Sequence, residues 1–425
     1  MIGLIGACGC SSADAGRGPA ARAAGPVVIT VWTGQDPGPE KILEGLAAKF
    51  HALHPDVTIR MSRGAPTTDE LLPRLTAAFG AGTYPDISYA YGSWASALRQ
   101  SDKTLDLTRE VADSRVRWEE FPEAARQTAS PGSRVIGFPA VVDNIGLLWN
   151  KKLFAAAGIP FPTNDWTWED FRSAAKKLTD PVHHVFGTAY PVSGSEDTTW
   201  HLWPLFWQNG GSVLSGDEKR AVFDSDAGIS ALTFLRSMAV KDRSVYLSPD
   251  DEKYIELFTS GRIGMVMSGP WELADVLRAG LDYGVSYLPS FGDGNHQTIS
   301  APDLWALFDH QDENRSHWAF EFTAWLTSSA VDPEFNLAAG NLPLRSSEAS
   351  SPEFAEFIRK YPGARTFFDN LQNAKVGRPT VPGYKGLSQA LGNAIALTLR
   401  GGADPAQALQ EAVRLSNIAL AKGDS

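Results

Sequence analysis

The polar pair Asp143-Asn144 interrupts an otherwise apolar run, VIGFPAVVDNIGLLW, in this 425-residue chain. A carboxylate there is costly to bury without a partner, so Asp143 either caps a neighbouring backbone or accepts hydrogen bonds from ligand hydroxyls. Asp36, before Pro37, and Asp303, after Pro302, stand at predicted strand ends, and each reads as a turn former or as a second acceptor of this kind. Tryptophan fills 13 positions, several near loop ends. Flat apolar rings beside carboxylates suit a ligand with C–H faces and hydroxyl edges, with core packing as the plain alternative, as expected for Trp203 and Trp207. Catalytic patterns are missing. His183-His184 has no HExxH or cysteine set around it, no GxxxxGK[ST] or GxGxxG segment is present, and the SGSE stretch lacks a nucleophile-elbow context. Asp143, Asp303 and Glu196 would allow a glycosidase carboxylate pair to be nominated, but any acidic sugar site would do the same. No metal and no cofactor is expected.

The length exceeds what one hydrophobic core usually fills, so two lobes are expected, and the apolar fraction of 43% supplies both. A formal charge of -11 spread along the chain leaves no basic stripe to neutralise phosphates, which argues against nucleic acid as a partner. The 2 cysteines, Cys8 and Cys10, stand together near the N-terminus, so no disulfide is expected inside the folded body. Leu4-Ile5-Gly6-Ala7-Cys8 resembles a bacterial lipobox and implies lipidation at Cys8, with Cys10 as the alternative. Residues 1–26 therefore read as a signal remnant and a small-residue tether. No run of 18 apolar residues follows, so a lipid anchor is the one membrane attachment expected.

The elements that must position these residues come in alternation. VVITVWTG reads as a buried strand, KILEGLAAKFHALHP as an amphipathic helix, DVTIRMS as a strand, LLPRLTAAFGAG as a helix and DISYAY as a strand. Such βαβ units predict a mostly parallel sheet with ligands beyond the carboxyl ends of its strands, where the loops at 35–38 and 91–94 lie. After Asp143 the pattern restarts: LFAAAG is a short helix stopped by Gly158, and Thr167 with Asp170 opens another. YGVSYLP is the expected return crossing, after which ISAPDLWALF rejoins the first sheet.

The segment WNKKLFAAAGIP with TWEDF resembles a signature of the family 1 extracellular solute-binding proteins, the sugar-capturing components of bacterial ABC importers. QNGG, TSGRIGMVMSGPW, GNLPLR and RPTVPGY follow in family-like order and spacing. The resemblance implies a cleft-facing role for Asp143, a sugar contact at Asp36, and aromatic platforms at Trp200 and Trp271. It also places Tyr384 and Ser388 at the start of a cleft-side helix. At 91–94 the family's charged sugar contacts are replaced by Gly92 and Ser93, leaving Tyr91 or Trp94 to compensate.

The resulting expectation is an α/β, two-lobe periplasmic-binding-protein fold of type II character, joined by crossover strands. The N-lobe would comprise 27–141 and 288–327, and the C-lobe 144–286 and 328–425. Ligand contacts are assigned to Asp36, Tyr91, Trp94, Asp143, Asn144, Trp200, Trp271, Asp303, Tyr384 and Ser388. The expected function is capture of a carbohydrate, without chemistry, for the permease subunits of an ABC importer, by a monomer held outside the plasma membrane. An acidic, aromatic cleft ranks amino sugars first, neutral di- or oligosaccharides second and glycerophosphodiesters third; the last would enlist Arg345 or Arg378.

Overall fold

The computed structural model describes residues 25–35, 37–251, 253–300 and 302–423; Cys8, Cys10 and Asp36 lie outside the described residues. The described strands are β1 (Val27–Trp32), β2 (Val57–Ser62), β3 (Ile87–Ala90), β4 (Gly137–Val141), β5 (Gly146–Asn150), β6 (Phe186–Pro191), β7 (Val245–Ser248), β8 (Ile263–Ser268), β9 (Tyr283–Ser286), β10 (Ile299–Ser300), β11 (Asp303–Leu307) and β12 (Val376–Gly377). They form two five-stranded sheets, β2-β1-β3-β11-β4 and β7-β6-β8-β5-β9, and a small β10-β12 pair. Helices cover both sheets, one sheet to each lobe.

The sheets are mixed where a mostly parallel one was expected. β1 runs parallel to β2 and β3, and β6 parallel to β7 and β8, as their connecting helices require. β11 is antiparallel to β3 and β4, and β5 to β8 and β9. β5 arrives directly from β4 of the other lobe and β11 returns from the second lobe, so neither is set in direction by a crossover helix within its own sheet.

Local signals operate as their chemistry dictates. Gly158 adopts φ +63° and ends the helix Lys151–Ala157. Thr167 and Asp170 form a reciprocal capping box at the start of the helix Trp168–Leu178. The helix Pro37–Leu53 begins inside the stretch expected as a loop, because proline fits the first turn, where its missing N–H has no partner to lose. Along β5 the side chains alternate with the period of a strand: Leu147 enters a core with Trp168, Trp203 and Leu391, and Leu148 one with Phe258, Val266 and Phe367. The first lobe closes around Ile29, Phe50, Phe138, Trp305 and Phe322.

The chain crosses between lobes at residues 142–145 and again after β9, so Tyr283–Ser286 of the expected return crossing is a strand of the second sheet. The segment expected to begin the second lobe straddles both. Val331, Phe335 and Leu344 pack into the first-lobe core, whereas Leu337 and Leu342 pack with the second. The helix Asp332–Ala339 lies against Pro37–Leu53, and its Asn336 amide donates to the Ala140 carbonyl of β4 at 2.9 Å. The helices Tyr384–Leu399 and Pro405–Gly423 pack on the second lobe. Among the described residues no helix is long and apolar enough to cross a membrane.

Candidate ligand-binding site

The crossing itself is buried between the lobes. Asn144 is fully buried, donating to the Phe367 carbonyl at 3.0 Å and accepting from the Asn370 amide at 2.7 Å. The same Asn370 amide reaches the Ile145 carbonyl at 3.0 Å, so Asn144, expected as a ligand contact, spends its side chain fastening the crossing to the helix Ala364–Asn370. Asp143 differs. It is 6% exposed, its carboxylate accepts the Leu342 N–H, and its Oδ1 has no hydrogen-bond partner. Burial, then the neighbouring Asp303 charge, pushes its pKa up to about 7.

Asp303 opens β11 and is held from three sides: the Tyr89 hydroxyl at 2.7 Å, the Gly92 N–H at 2.9 Å and the Arg378 guanidinium at 2.8 Å. A Cβ at Gly92 would come within 2.2 Å of the Pro302 carbonyl oxygen, so no side chain fits where this N–H meets Asp303. Burial raises the Asp303 pKa against the pull of Arg378.

Arg378, from the loop after β12, is the central group. One arm meets Asp303 of the first lobe, and the other stands 3.5 Å from Glu196 of the second. Its guanidinium lies over the Tyr91 ring at 5.0 Å and the Trp200 ring at 4.7 Å, one aromatic from each lobe. Burial alone would lower its pKa; Asp303 and then Glu196 outweigh that and raise it.

Glu196 begins the helix Glu196–Trp200 and accepts the Tyr384 hydroxyl at 2.9 Å and the Ser388 hydroxyl at 2.5 Å. Tyr384 and Ser388 are four residues apart on one helical face, which is why both reach the same carboxylate. Gly194 adopts φ +81° in the preceding turn, and a Cβ there would press on the Asn393 amide oxygen at 2.6 Å. Above this group, Lys385 reaches the Asp69 carbonyl across the cleft at 3.5 Å. The Asp69 carboxyl is pushed up to about 6 by burial, then by Glu196 and Asp251. Ser96 also donates to the Thr380 carbonyl between the lobes.

The remaining expected residues separate. Trp94 is buried in the first-lobe core and backs Tyr91, ring centroids 4.8 Å apart. Trp271 is half-buried at the end of β8, its indole donating to Glu272 at 2.9 Å. Arg345 is a brace, not a cleft residue. It bonds the carbonyls of Thr327, Val116 and Arg117, and its guanidinium lies 3.9 Å from the Phe121 ring centroid. The structure thus brings Tyr91, Trp200, Asp303, Tyr384 and Ser388 together around Arg378 and Glu196, with Asp143 beside Asp303. Sequence reasoning missed Asp69 and gave Glu196 no binding role. The Tyr384/Ser388 spacing was the available signal that a shared polar partner faces that helix.

Two mixed α/β lobes joined by chain crossings, with polar and aromatic groups meeting between them, are the architecture of a two-lobe solute-binding protein. The match to the bacterial extracellular solute-binding protein family spans residues 36–333, well over half the chain, and the chain belongs to that family. Maltotriose-binding protein of Pyrococcus abyssi is 21% identical over 330 residues, 76% of this chain and 68% of the relative. The fold matches the cyclic alpha-maltosyl-1,6-maltose binding protein of Arthrobacter globiformis with a TM-score of 0.78 at 23% identity, covering 94% and 100% of the two chains. It matches UgpB of Mycobacterium tuberculosis, solved with glycerophosphocholine, with a TM-score of 0.84 at 18% identity, covering 95% and 100%.

Proposed function

We propose that the protein captures a carbohydrate between its lobes and delivers it to the permease subunits of an ABC importer. Amino-substituted sugars rank first, neutral di- or oligosaccharides second and glycerophosphodiesters third. One observation carries the ranking: among the described residues, the carboxyl groups of Asp69, Glu196 and Asp303 outnumber the neighbouring cations Arg378 and Lys385, and Asp143, beside Asp303, keeps a buried oxygen with no hydrogen-bond partner. Hydroxyl donors answer that deficit, and an ammonium group answers it more strongly. Tyr91, Trp200 and Trp271 offer flat faces for the C–H side of a sugar ring. The relatives named for maltotriose and for cyclic maltosyl-maltose support the carbohydrate class.

Arg378 favours the phosphodiester as the second reading, and the relative solved with glycerophosphocholine supports it. A phosphate would first have to displace Asp303 or Glu196 from the guanidinium. Calorimetric titration with chitobiose, maltotriose and glycerophosphocholine tests the order, and tight binding of glycerophosphocholine alone reverses it. A ligand touching both lobes favours the closed arrangement by its differential contacts, the hinge closure of periplasmic binding proteins. Small-angle scattering with saturating ligand should show a smaller radius of gyration than without it. Binding proceeds without turnover, so reducing ends released from these oligosaccharides above a Trp271→Ala control would refute the assignment. The anchor is assigned to Cys8, or else Cys10, on a monomer outside the plasma membrane. Detergent-phase partitioning of membranes carrying Cys8→Ala and Cys10→Ala chains distinguishes the two sites.

A further inference from the structure

Trp271 stands apart from the other rings of the site. Trp94 and Trp200 belong to the apolar cores of the two lobes, and Arg378 lies over Tyr91 and Trp200. Trp271 is half-buried and joins none of the three cores, and among the described residues no second ring or cation stacks on it. What holds it is its own turn. Gly269 precedes the turn Pro270–Glu272 with φ −111° and ψ −177°, extended backbone that any residue adopts. A Cβ there would nevertheless lie 1.9, 2.2 and 2.3 Å from Cζ3, Cη2 and Cε3 of Trp271. Three consecutive ring atoms at nearly equal distances put the glycine over the face of the indole, because an approach along the ring plane would leave the two outer atoms much farther away. The ring, and not the backbone conformation, requires glycine at this position.

Glu272 fixes the rotation that remains. Its Oε1 accepts the Trp271 indole N–H at 2.9 Å and the Ser268 hydroxyl at 3.2 Å, and its own N–H donates to the Gly269 carbonyl at 3.3 Å. Ser268 is fully buried at the end of β8, so the carboxyl group is anchored to the sheet. We infer that Gly269 and Glu272 are positioning residues that make Trp271 a one-faced platform: the Gly269 backbone seals one face of the indole, Glu272 sets its rotation, and the other face is presented to the C–H side of a single pyranose ring. The torsional freedom of the tryptophan is given up on folding, so a stacking ligand gains the contact without that entropic cost. A flat ring face profits from a fixed indole and a flexible chain does not, so the mount sets specificity as well as affinity.

The use of the platform rests on the cleft assignment above, whereas the mounting of the ring does not. Proton–nitrogen spectra of the full chain without ligand test the mount, and calorimetric titration tests its use. The Trp271 indole N–H signal, assigned through Trp271→Phe, should shift and exchange with solvent about 3- to 10-fold faster in Glu272→Leu, and Glu272→Gln, which still offers an acceptor, should restore it. Gly269→Ala should displace the same signal with the acceptor intact. Maltotriose and chitobiose should bind Glu272→Leu and Gly269→Ala about 3- to 10-fold more weakly, with glutamine at 272 again restoring affinity, and any affinity for glycerophosphocholine should be unchanged. If Gly269→Ala does not fold, Glu272→Leu and its glutamine rescue decide. An indole signal that ignores the substitutions, or sugar affinities that do not follow it, overturns the inference. A wild-type protein that binds neither sugar strikes the cleft assignment instead, and the spectra still decide the mount.

Discussion

Replacing Asp143 with asparagine should stabilise the protein at alkaline pH while abolishing much of its affinity. The carboxyl is raised from its ordinary 3.8 to about 7, chiefly by burial. Between those values the folded state holds a proton that the unfolded state has released, so stability falls as pH rises through this window and is constant above it. The gap corresponds to about 4 kcal/mol at 1.36 kcal/mol per pH unit, of which about 3 kcal/mol falls between pH 5 and pH 7. Asparagine keeps an acceptor for the Leu342 N–H and carries no charge to bury. Urea unfolding followed by tryptophan fluorescence should therefore show the advantage of Asp143→Asn over wild type growing by about 3 kcal/mol from pH 5 to pH 8. Burial raises Asp197 to about 7 and Glu272 to about 8 in the same sense, so the variant's own stability still declines with pH. Loss of a charged acceptor should weaken carbohydrate binding by about 10- to 150-fold, the equivalent of about 1.5–3 kcal/mol. An identical pH dependence in the two proteins would refute the placement of a desolvated carboxyl group at the crossing.

Arg378→Ala leaves Asp303 buried without its cation and should cost about 3–5 kcal/mol, and Arg378→Ala with Asp303→Asn should recover part of it in chemical denaturation. Trp200→Ala should weaken carbohydrate binding about 10- to 100-fold in calorimetry through lost ring area, with far-ultraviolet dichroism unchanged. Arg345→Ala should destabilise by about 3–5 kcal/mol with ligand affinity retained, because that guanidinium braces carbonyls away from the cleft. Asn370→Ala removes the bonds to Asn144 and Ile145 and should cost about 1–3 kcal/mol. It should also enlarge the radius of gyration measured by scattering.

Much of the architecture was legible because its causes are local. The β-branched run VVITVW, the Gly158 stop and the Thr167/Asp170 capping box act over a few residues, and the structure contains each where the sequence places it. The family resemblance was carried by short segments in order, and it brought Trp200, Tyr384 and Ser388 into view. Strand direction was not legible, since β5 and β11 take theirs from the path of the chain between lobes. Nor was the partition of residues 328–345, whose apolar side chains alternate between two cores. The centre of the site was the least legible part. Arg378 meets Asp303 across 75 residues and Glu196 across 182, and Arg345, equally cationic and near GNLPLR, turns instead to backbone carbonyls. Sequence alone determines which side chains can be charged, flat or flexible and which local turns they favour. Only the tertiary structure decides which carboxylates share a guanidinium, because that depends on distant segments meeting in a desolvated space where an unpaired charge is costly.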